Sequence, residues 1–267
     1  MKAEDLKIIV QDKYGEIASQ SKEQNQASCC GSTGCCDDMD YSIFADDYSK
    51  LEGYNPDADL ALGCGIPTAY AGIEKGNHVL DLGSGAGNDC FVARTLVGEE
   101  GRVTGIDFTQ AMLEKANANL KKTGLSNIEF VKGDIEDMPL PENAFDVVIS
   151  NCVLNLVPNK SKAFTEIHRV LKPGGHFCIS DVVLVGELPE KLKGAAEMYA
   201  GCVSGAIQKD AYLGIIESKG FTSIEVKKEK EILIPDNIML NYISEEELKA
   251  FKESKVGIYS ITVNAVK

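Results

Sequence analysis

From residue 77 onward, short apolar segments alternate with amphipathic segments, and this alternation constrains the fold more than any other feature of the chain. The apolar segments predict buried strands at residues 78–82, 102–107, 128–132, 147–150 and 176–185. Helices are predicted between them at 88–97, 109–123 and 160–171. Lys172-Pro173-Gly174-Gly175 is expected to end the last helix, with glycine as its cap. This order predicts an α/β, Rossmann-like fold with a doubly wound sheet.

The chain on either side of this core follows a different pattern. Residues 1–36 predict an N-terminal cap made of a helix and a cysteine-rich loop, and residues 37–185 hold a turn-rich segment and the core. Residues 186–267 predict a C-terminal α+β region that contributes to the substrate site. Its helices are expected at 189–200, 208–219 and 245–254, and its strands at 221–231 and 257–266.

A glycine-rich loop, Asp81-Leu82-Gly83-Ser84-Gly85-Ala86-Gly87, joins the first predicted strand to the helix that follows it. Its glycines let the backbone turn tightly and approach a ligand closely. Asp107, Asp134 and Asn151 stand at the ends of the next three predicted strands. Because open α/β sheets bind ligands at the carboxyl ends of their strands, these groups predict a nucleotide-cofactor site.

The spacing of the loop favours S-adenosylmethionine (SAM) over a dinucleotide. The glycines follow GxGxG, because Asn88 stands where GxGxxG requires the last glycine. A carboxylate at Asp81 would repel a pyrophosphate, whereas it suits a cationic amino acid group. Asp107 is expected to bind the ribose hydroxyls, and Asp134 with Ile135 to bind the adenine edge. The predicted cofactor-binding residues are Asp81, Gly83, Ser84, Gly85, Gly87, Asp107, Phe108, Met112, Asp134, Ile135 and Asn151.

Charge and composition narrow the class of partner. The net charge of −14 is poorly suited to nucleic acid or to anionic membranes. The chain has no run of about 18 apolar residues that could span a membrane. Its first residues carry charges throughout and do not resemble a secretory signal. We therefore expect a cytoplasmic protein with reduced thiols and a small-molecule substrate.

The nine cysteines are the anomaly, since they are open to metal binding, thiol catalysis or packing. Cys64 lies in Leu62-Gly63-Cys64-Gly65, and Cys202 lies in Gly201-Cys202-Val203-Ser204-Gly205. Cys152 follows the fourth predicted strand, so the core itself places it beside the cofactor site. Cys90 and Cys178 fall within a helix and a strand, and we assign them to packing.

These segments together resemble the arsenite methyltransferases, which are class I SAM-dependent methyltransferases. The resemblance rests on the sequences that flank the three loop cysteines and on the motif DLGSGAGNDCF. It extends from about Asp37 to Ala206. It implies a seven-stranded sheet with one antiparallel strand. It also implies that Cys64, Cys152 and Cys202 are the catalytic residues and hold trivalent arsenic, and that arsenite is methylated for detoxification.

The chemistry of arsenic is consistent with three thiols. Trivalent arsenic is soft, and thiolates are its natural ligands. Three sulfur ligands leave a lone pair on arsenic, which can attack the sulfonium methyl of SAM without a general base. Catalysis is then mostly positioning. An external thiol reductant, either a thioredoxin system or glutathione, is required for the redox balance.

Two other functions stay open at this point. The chain could be a generic small-molecule C- or O-methyltransferase, although the sequences that flank Cys64 and Cys202 argue against this class. It could instead bind a metalloid without turnover, although the intact cofactor motifs oppose that. The cluster of Cys29, Cys30, Cys35 and Cys36 also has several interpretations: arsenic capture and transfer to Cys64, a resolving thiol, or a dispensable tail.

Overall fold

A computed structural model describes residues 3–20, 46–189, 191–192, 205–254 and 256–267. The cysteines at positions 29, 30, 35, 36 and 202 therefore lie outside the described residues. Most of the helix expected at 189–200 lies outside them as well. Among the described residues, no helix is long and apolar enough to cross a lipid bilayer.

The described chain alternates strands and helices as predicted. The helices are α1 (Ala3–Ser19), α2 (Asn88–Val97), α3 (Gln110–Thr123), α4 (Lys160–Val170), α5 (Lys209–Ser218), α6 (Asp236–Met239) and α7 (Glu245–Glu253). The strands are β1 (His78–Leu82), β2 (Arg102–Asp107), β3 (Ile128–Lys132), β4 (Phe145–Asn151), β5 (Leu171–Val185), β6 (Thr222–Ile232) and β7 (Gly257–Val266). Short 3-10 turns cover Pro67–Ala69 and Leu154–Leu156.

All seven strands belong to one sheet, in the order β3-β2-β1-β4-β5-β7-β6. Strands β1 to β5 pair in parallel, and β7 runs antiparallel to both β5 and β6. This arrangement confirms the doubly wound fold and its single antiparallel strand. The strand order reverses between β1 and β4, and such a switch point opens a crevice at the carboxyl ends of the strands.

Apolar side chains cover both faces of the sheet. On one face, Phe164 of α4 and Tyr212 of α5 pack with Leu80 and Phe177 of the central strands. On the other face, Phe91 of α2 and Met112 of α3 pack with their neighbours, and α1 lies against α3. Burial of both faces explains why the central strands are mostly apolar instead of strictly alternating.

The predicted glycine cap at the end of the helix expected at 160–171 is wrong. Helix α4 ends at Val170, and Leu171 already has an extended backbone that opens β5. Glycine does not cap the helix. Pro173 disfavours a helical conformation at Lys172, and Gly174, with φ of +78°, lies where the pairing of β4 and β5 shifts register. The glycines thus lie at an irregularity inside the strand and not at the end of the helix. Strand β5 begins at Leu171, five residues earlier than expected.

Candidate active site

A cavity of about 370 Å³ opens at the carboxyl ends of β1, β2 and β4. Ten of the eleven predicted cofactor-binding residues line it: Asp81, Gly83, Ser84, Gly85, Asp107, Phe108, Met112, Asp134, Ile135 and Asn151. Gly87 does not line the cavity. It precedes α2 with a left-handed backbone, and a Cβ there would lie 2.8 Å from the ring of Phe130. Its lack of a side chain therefore serves helix packing.

Asp107 holds the glycine-rich loop in place. Its Oδ2 accepts a hydrogen bond from Gly85 N–H at 3.0 Å, and its Oδ1 accepts one from Thr109 N–H at 2.8 Å. Burial raises the pKa of Asp107, and these backbone donors act in the opposite direction. Within the described residues, the hydroxyl of Ser84 and the side-chain carbonyl of Asn88 are buried without a hydrogen-bond partner. Both residues line the cavity, so a polar ligand has groups to bind there.

Asp81 is buried at the start of this loop, where it lines the cavity. Burial raises its pKa well above the usual range, and the charge of Asp89 raises it further. The thiol of Cys90 donates to Asp81 Oδ2 at 3.2 Å, so this packing cysteine also supports the cofactor loop. Buried carboxylates that repel one another favour a cationic ligand, which would relieve both the repulsion and the burial.

The N-terminal helix covers the end of the cavity that Asp134 lines, a contact that sequence reasoning missed. Lys7 Nζ lies 2.6 Å from both Asp134 Oδ2 and Glu136 Oε2. Burial lowers the pKa of Lys7, but the two carboxylates outweigh it and hold the pKa above its usual value. Gln11 of the same helix donates to the carbonyl oxygen of Phe108 at 3.2 Å. The polar face of α1 is therefore fixed to the cofactor cavity.

The structure brings two of the three loop cysteines to one region. Cys152 lines the cavity with 4 % of its surface exposed, and Cys64, with 3 % exposed, lies beside Gly63 of the cavity wall. Both belong to one apolar cluster with side chains of β5, β6, β7 and the C-terminal helices. Cys152 has a left-handed backbone with φ of +61°, which non-glycine residues seldom adopt. Its N–H donates to the carbonyl oxygen of Ser180 at 2.8 Å, which fixes the strained turn to β5.

The loop that carries Cys64 is held from two directions. The N–H of Cys64 donates to Asn151 Oδ1 at 3.0 Å, and the carbonyl oxygen of Cys64 accepts from Ser260 Oγ of β7 at 2.6 Å. Asn151 Nδ2 also lies 2.9 Å from the carbonyl oxygen of Gly65. Asn151 lines the cofactor cavity, as predicted, but its side chain binds the Cys64 loop. This second role could not be read from its position at a strand end.

Two further residues complete this wall of the cavity. Asp89 Oδ1 accepts a hydrogen bond from Tyr48 at 2.8 Å, and Asp89 Oδ2 lies 3.2 Å from Asn151 Nδ2. Burial raises the pKa of Asp89 to about 6, although both donors lower it. Sequence reasoning missed Asp89; its position in the first helical turn after the glycine loop was the available signal.

The parallel sheet, its antiparallel β7, and a glycine-rich loop and strand-end carboxylates around one cavity define the class I SAM-dependent methyltransferase fold. The chain belongs to the methyltransferase-domain family, whose model matches residues 73–220.

Its resemblance to arsenite methyltransferases is confirmed by two relatives. The arsenite methyltransferase of Halobacterium salinarum is 38% identical over 85% of this chain, which spans 60% of that relative. A solved arsenic (III) S-adenosylmethionine methyltransferase from Chlamydomonas reinhardtii is 38% identical, with a TM-score of 0.64 over 77% of this chain and 67% of that one. The chain thus spans about three fifths of the length of its Halobacterium relative.

A third relative matches a smaller part of the chain. The demethylmenaquinone methyltransferase of Listeria welshimeri is 36% identical, but over only 41% of this chain and 46% of that relative. The similarity to arsenite methyltransferases therefore extends well beyond the portion shared with a methyltransferase of another name.

Proposed function

We propose that this chain catalyses the SAM-dependent methylation of trivalent arsenic, held by the thiolates of Cys64, Cys152 and Cys202. One observation carries the proposal: the cavity wall that includes Cys152 also holds the Cys64 loop, through Asn151. The names of the relatives support arsenic as the substrate. Cys202 enters on the resemblance of its segment.

The cavity residues fit SAM. Asp107 would bind the ribose hydroxyls, Asp134 and Ile135 the adenine, and the loop from Asp81 to Gly85 the amino acid group. Within the described residues, the Ser84 hydroxyl has no hydrogen-bond partner, and the carboxylates of Asp81 and Asp89 lie close together. Both features suit a polar, cationic ligand. When bound, SAM supplies an electrophilic methyl group on a sulfonium.

The thiolates activate arsenic by binding it. Each As–S bond replaces an As–OH bond, and the thiol proton leaves with the hydroxyl as water. The arsenic lone pair then takes the methyl group, so arsenic(III) becomes arsenic(V) and the donor becomes neutral S-adenosylhomocysteine. A further thiolate attacks one arsenic-bound sulfur, which forms a disulfide and returns two electrons to arsenic. An external thiol, from a thioredoxin system or glutathione, reduces that disulfide.

The apolar surroundings of Cys64 and Cys152 serve this reaction. Val182, Ile232, Met239 and Leu248 belong to the same cluster as the two thiols. A dry site limits hydrolysis of As–S bonds and strengthens electrostatic interactions with the sulfonium. Residues 207–267, which contain no cysteine, thus contribute apolar side chains around the thiols in place of a thiol ligand.

Arsenic speciation tests the proposal against its two alternatives. The purified full chain is mixed with arsenite, SAM and a thiol, and methylated arsenic is followed by chromatography and mass spectrometry. We expect methylarsenic whose formation requires SAM. Arsenite binding without methylation would favour a metalloid-binding protein, and neither binding nor methylation would favour a generic methyltransferase.

The amino-terminal thiols can be tested in the same assay. We propose that Cys29, Cys30, Cys35 and Cys36 capture arsenic or supply a resolving thiol. Replacement of all four by serine should then slow methylation at low arsenite concentration. If the four-serine variant binds and methylates arsenite at the wild-type rate, this segment is dispensable.

A further inference from the structure

Asp89 is a buried carboxylate that the proposed reaction does not use. It lies in the first turn of α2, lines the cofactor cavity, and accepts hydrogen bonds from Tyr48 and Asn151. Among the described residues, no lysine or arginine forms an ion pair with it. The titratable groups that surround it are Tyr48, Asp59, Asp81, Cys90 and Cys178. None of these supplies a positive charge.

The two donors to Asp89 are also the groups that hold the Cys64 loop. Asn151 joins Asp89 Oδ2 to the N–H of Cys64 and the carbonyl oxygen of Gly65. The Tyr48 hydroxyl has one hydrogen and two acceptors within reach, Asp89 Oδ1 at 2.8 Å and the carbonyl oxygen of Gly65 at 3.0 Å. A charged acceptor attracts that hydrogen more strongly than a carbonyl does. The ionised carboxylate therefore takes the Tyr48 hydrogen. Because it can only accept, it also keeps Asn151 Nδ2 turned toward itself and Asn151 Oδ1 turned toward the N–H of Cys64. A protonated Asp89 can donate as well as accept, so it no longer fixes the Asn151 amide in the orientation that holds the Cys64 loop.

The charge on Asp89 should respond to the cofactor. Burial raises the pKa of Asp89 to about 6, so the carboxylate is held in its ionised form only weakly. A sulfonium in the same cavity would stabilise the carboxylate, whereas the thioether of S-adenosylhomocysteine carries no charge at sulfur. At a pH near or below 6, the transfer of the methyl group thus removes a positive charge that favours the ionised form of Asp89.

We propose that Asp89 is a positioning residue, whose carboxylate holds the Cys64 loop for arsenic through Asn151 and Tyr48 and whose protonation releases that loop. This inference rests on the proposed function. A cationic cofactor strengthens arsenite binding, and by linkage arsenite strengthens binding of the cationic cofactor to the same degree. At a pH near or below 6, loss of the charge after methyl transfer favours protonation of Asp89, which loosens the loop and assists release of the methylated product.

The test compares arsenite affinity with a cationic and with a neutral ligand in the cavity. Arsenite binding to the full chain is measured by equilibrium dialysis from pH 5 to pH 8. The cavity is saturated with sinefungin, which carries an amine in place of the methylsulfonium, or with S-adenosylhomocysteine. We expect equal affinities at pH 8 and roughly threefold tighter binding with sinefungin at pH 5.5, if the cation lowers the pKa of Asp89 by about one unit. Thiol ionisation acts on both measurements, and comparison of the ratio with that of Asp89→Asn isolates the part that depends on Asp89.

Three variants make the outcome decisive. Asp89→Asn should give a ratio near one at every pH, and Tyr48→Phe, which keeps the carboxylate, should reduce the ratio. Glu129→Gln removes a charge on β3, outside the cavity lining, and should keep the wild-type ratio. A flat ratio in the wild type, or the wild-type pH step in Asp89→Asn, would overturn the inference. Failure of the proposed function gives a different result, since wild-type protein would then make no methylarsenic with SAM at pH 8.

Discussion

The Oδ1 atom of Asn151 accepts a hydrogen bond from the N–H of Cys64 at 3.0 Å, across 87 residues of chain. Asn151 also directly precedes Cys152, so a single residue fixes the backbone beside both thiols. The same side chain lines the cofactor cavity. The proposed arsenic site and the proposed cofactor site therefore share a wall.

Replacement of Asp107 by alanine should weaken SAM binding. The change removes a buried acceptor and also frees the N–H of Gly85 in the cofactor loop. A hydrogen bond to a charged group contributes roughly 1.5–3 kcal/mol, so we expect about 10- to 100-fold weaker binding by calorimetry. Glu129→Gln on β3, which bonds Thr104 at the opposite end of β2, is the matched control. Equal SAM affinity in Asp107→Ala and wild type would remove Asp107 from the cofactor site.

Replacement of Lys7 by methionine should loosen α1 from the cavity. Lys7 contacts Asp134 and Glu136 while remaining about 29% exposed, and partly exposed pairs contribute little, about 0–1 kcal/mol each. We therefore expect SAM to dissociate about two- to fivefold faster in stopped-flow experiments, with faster hydrogen exchange in α1. Lys122 lies on α3 and forms an exposed ion pair with Asp57, so Lys122→Met should change neither rate. Unaltered exchange in α1 would show that Lys7 does not anchor the helix.

Sequence patterns predicted the strands of the core because these strands are largely buried and rich in apolar residues. Strands β1, β2 and β3 have their predicted bounds, and β1 and β2 are buried over nearly their whole length. The strand-end carboxylates were also placed correctly at the cavity, since parallel strands bring their carboxyl ends to one edge.

The contacts between distant segments could not be read in the same way. The pairing of Lys7 with Asp134 depends on how α1 crosses the sheet, which no local spacing encodes. The bonds of Asn151 to Cys64 and Asp89 depend likewise on tertiary packing. The short helix α6 is only four residues long, too short to show a helical period.

Gly205 provides a test of how the segment after Cys202 approaches the site. A Cβ on Gly205 would overlap the carbonyl oxygen of Asn155, three residues after Cys152. We expect Gly205→Ala to lower the free energy of unfolding by about 1–3 kcal/mol and to weaken arsenite binding, with SAM affinity retained. Gly214→Ala on α5, where nothing lies within 4 Å, is the matched control. Normal arsenite affinity in Gly205→Ala would show that this close approach is not needed for arsenic binding.

Asp181 should make the protein less stable as the pH rises. It is fully buried, accepts a hydrogen bond from Tyr212 at 3.0 Å, and has its pKa raised to about 6 by burial. An unfolded aspartate titrates near about 3.9, so the folded state binds the proton more tightly between these values. The contribution of Asp181 to stability is therefore complete below about pH 4 and is lost as the pH rises to about 6.

Urea denaturation at pH 5 and pH 7.5 measures this effect. Between these values the wild type should lose about 1–2 kcal/mol relative to Asp181→Asn, which cannot ionise. Asp137→Asn, at an exposed position, should follow the wild type. A pH-independent difference between wild type and Asp181→Asn would contradict the prediction.

The thiolate mechanism is tested most directly by arsenic speciation with Cys152→Ser, accompanied by SAM affinity on the same sample. Cys178→Ser is the matched control, because this buried thiol donates to the carbonyl oxygen of Pro67 in the core. We expect Cys152→Ser to make no methylated arsenic while it binds SAM as the wild type does, and Cys178→Ser to remain active. Full arsenic methylation by Cys152→Ser would contradict the mechanism.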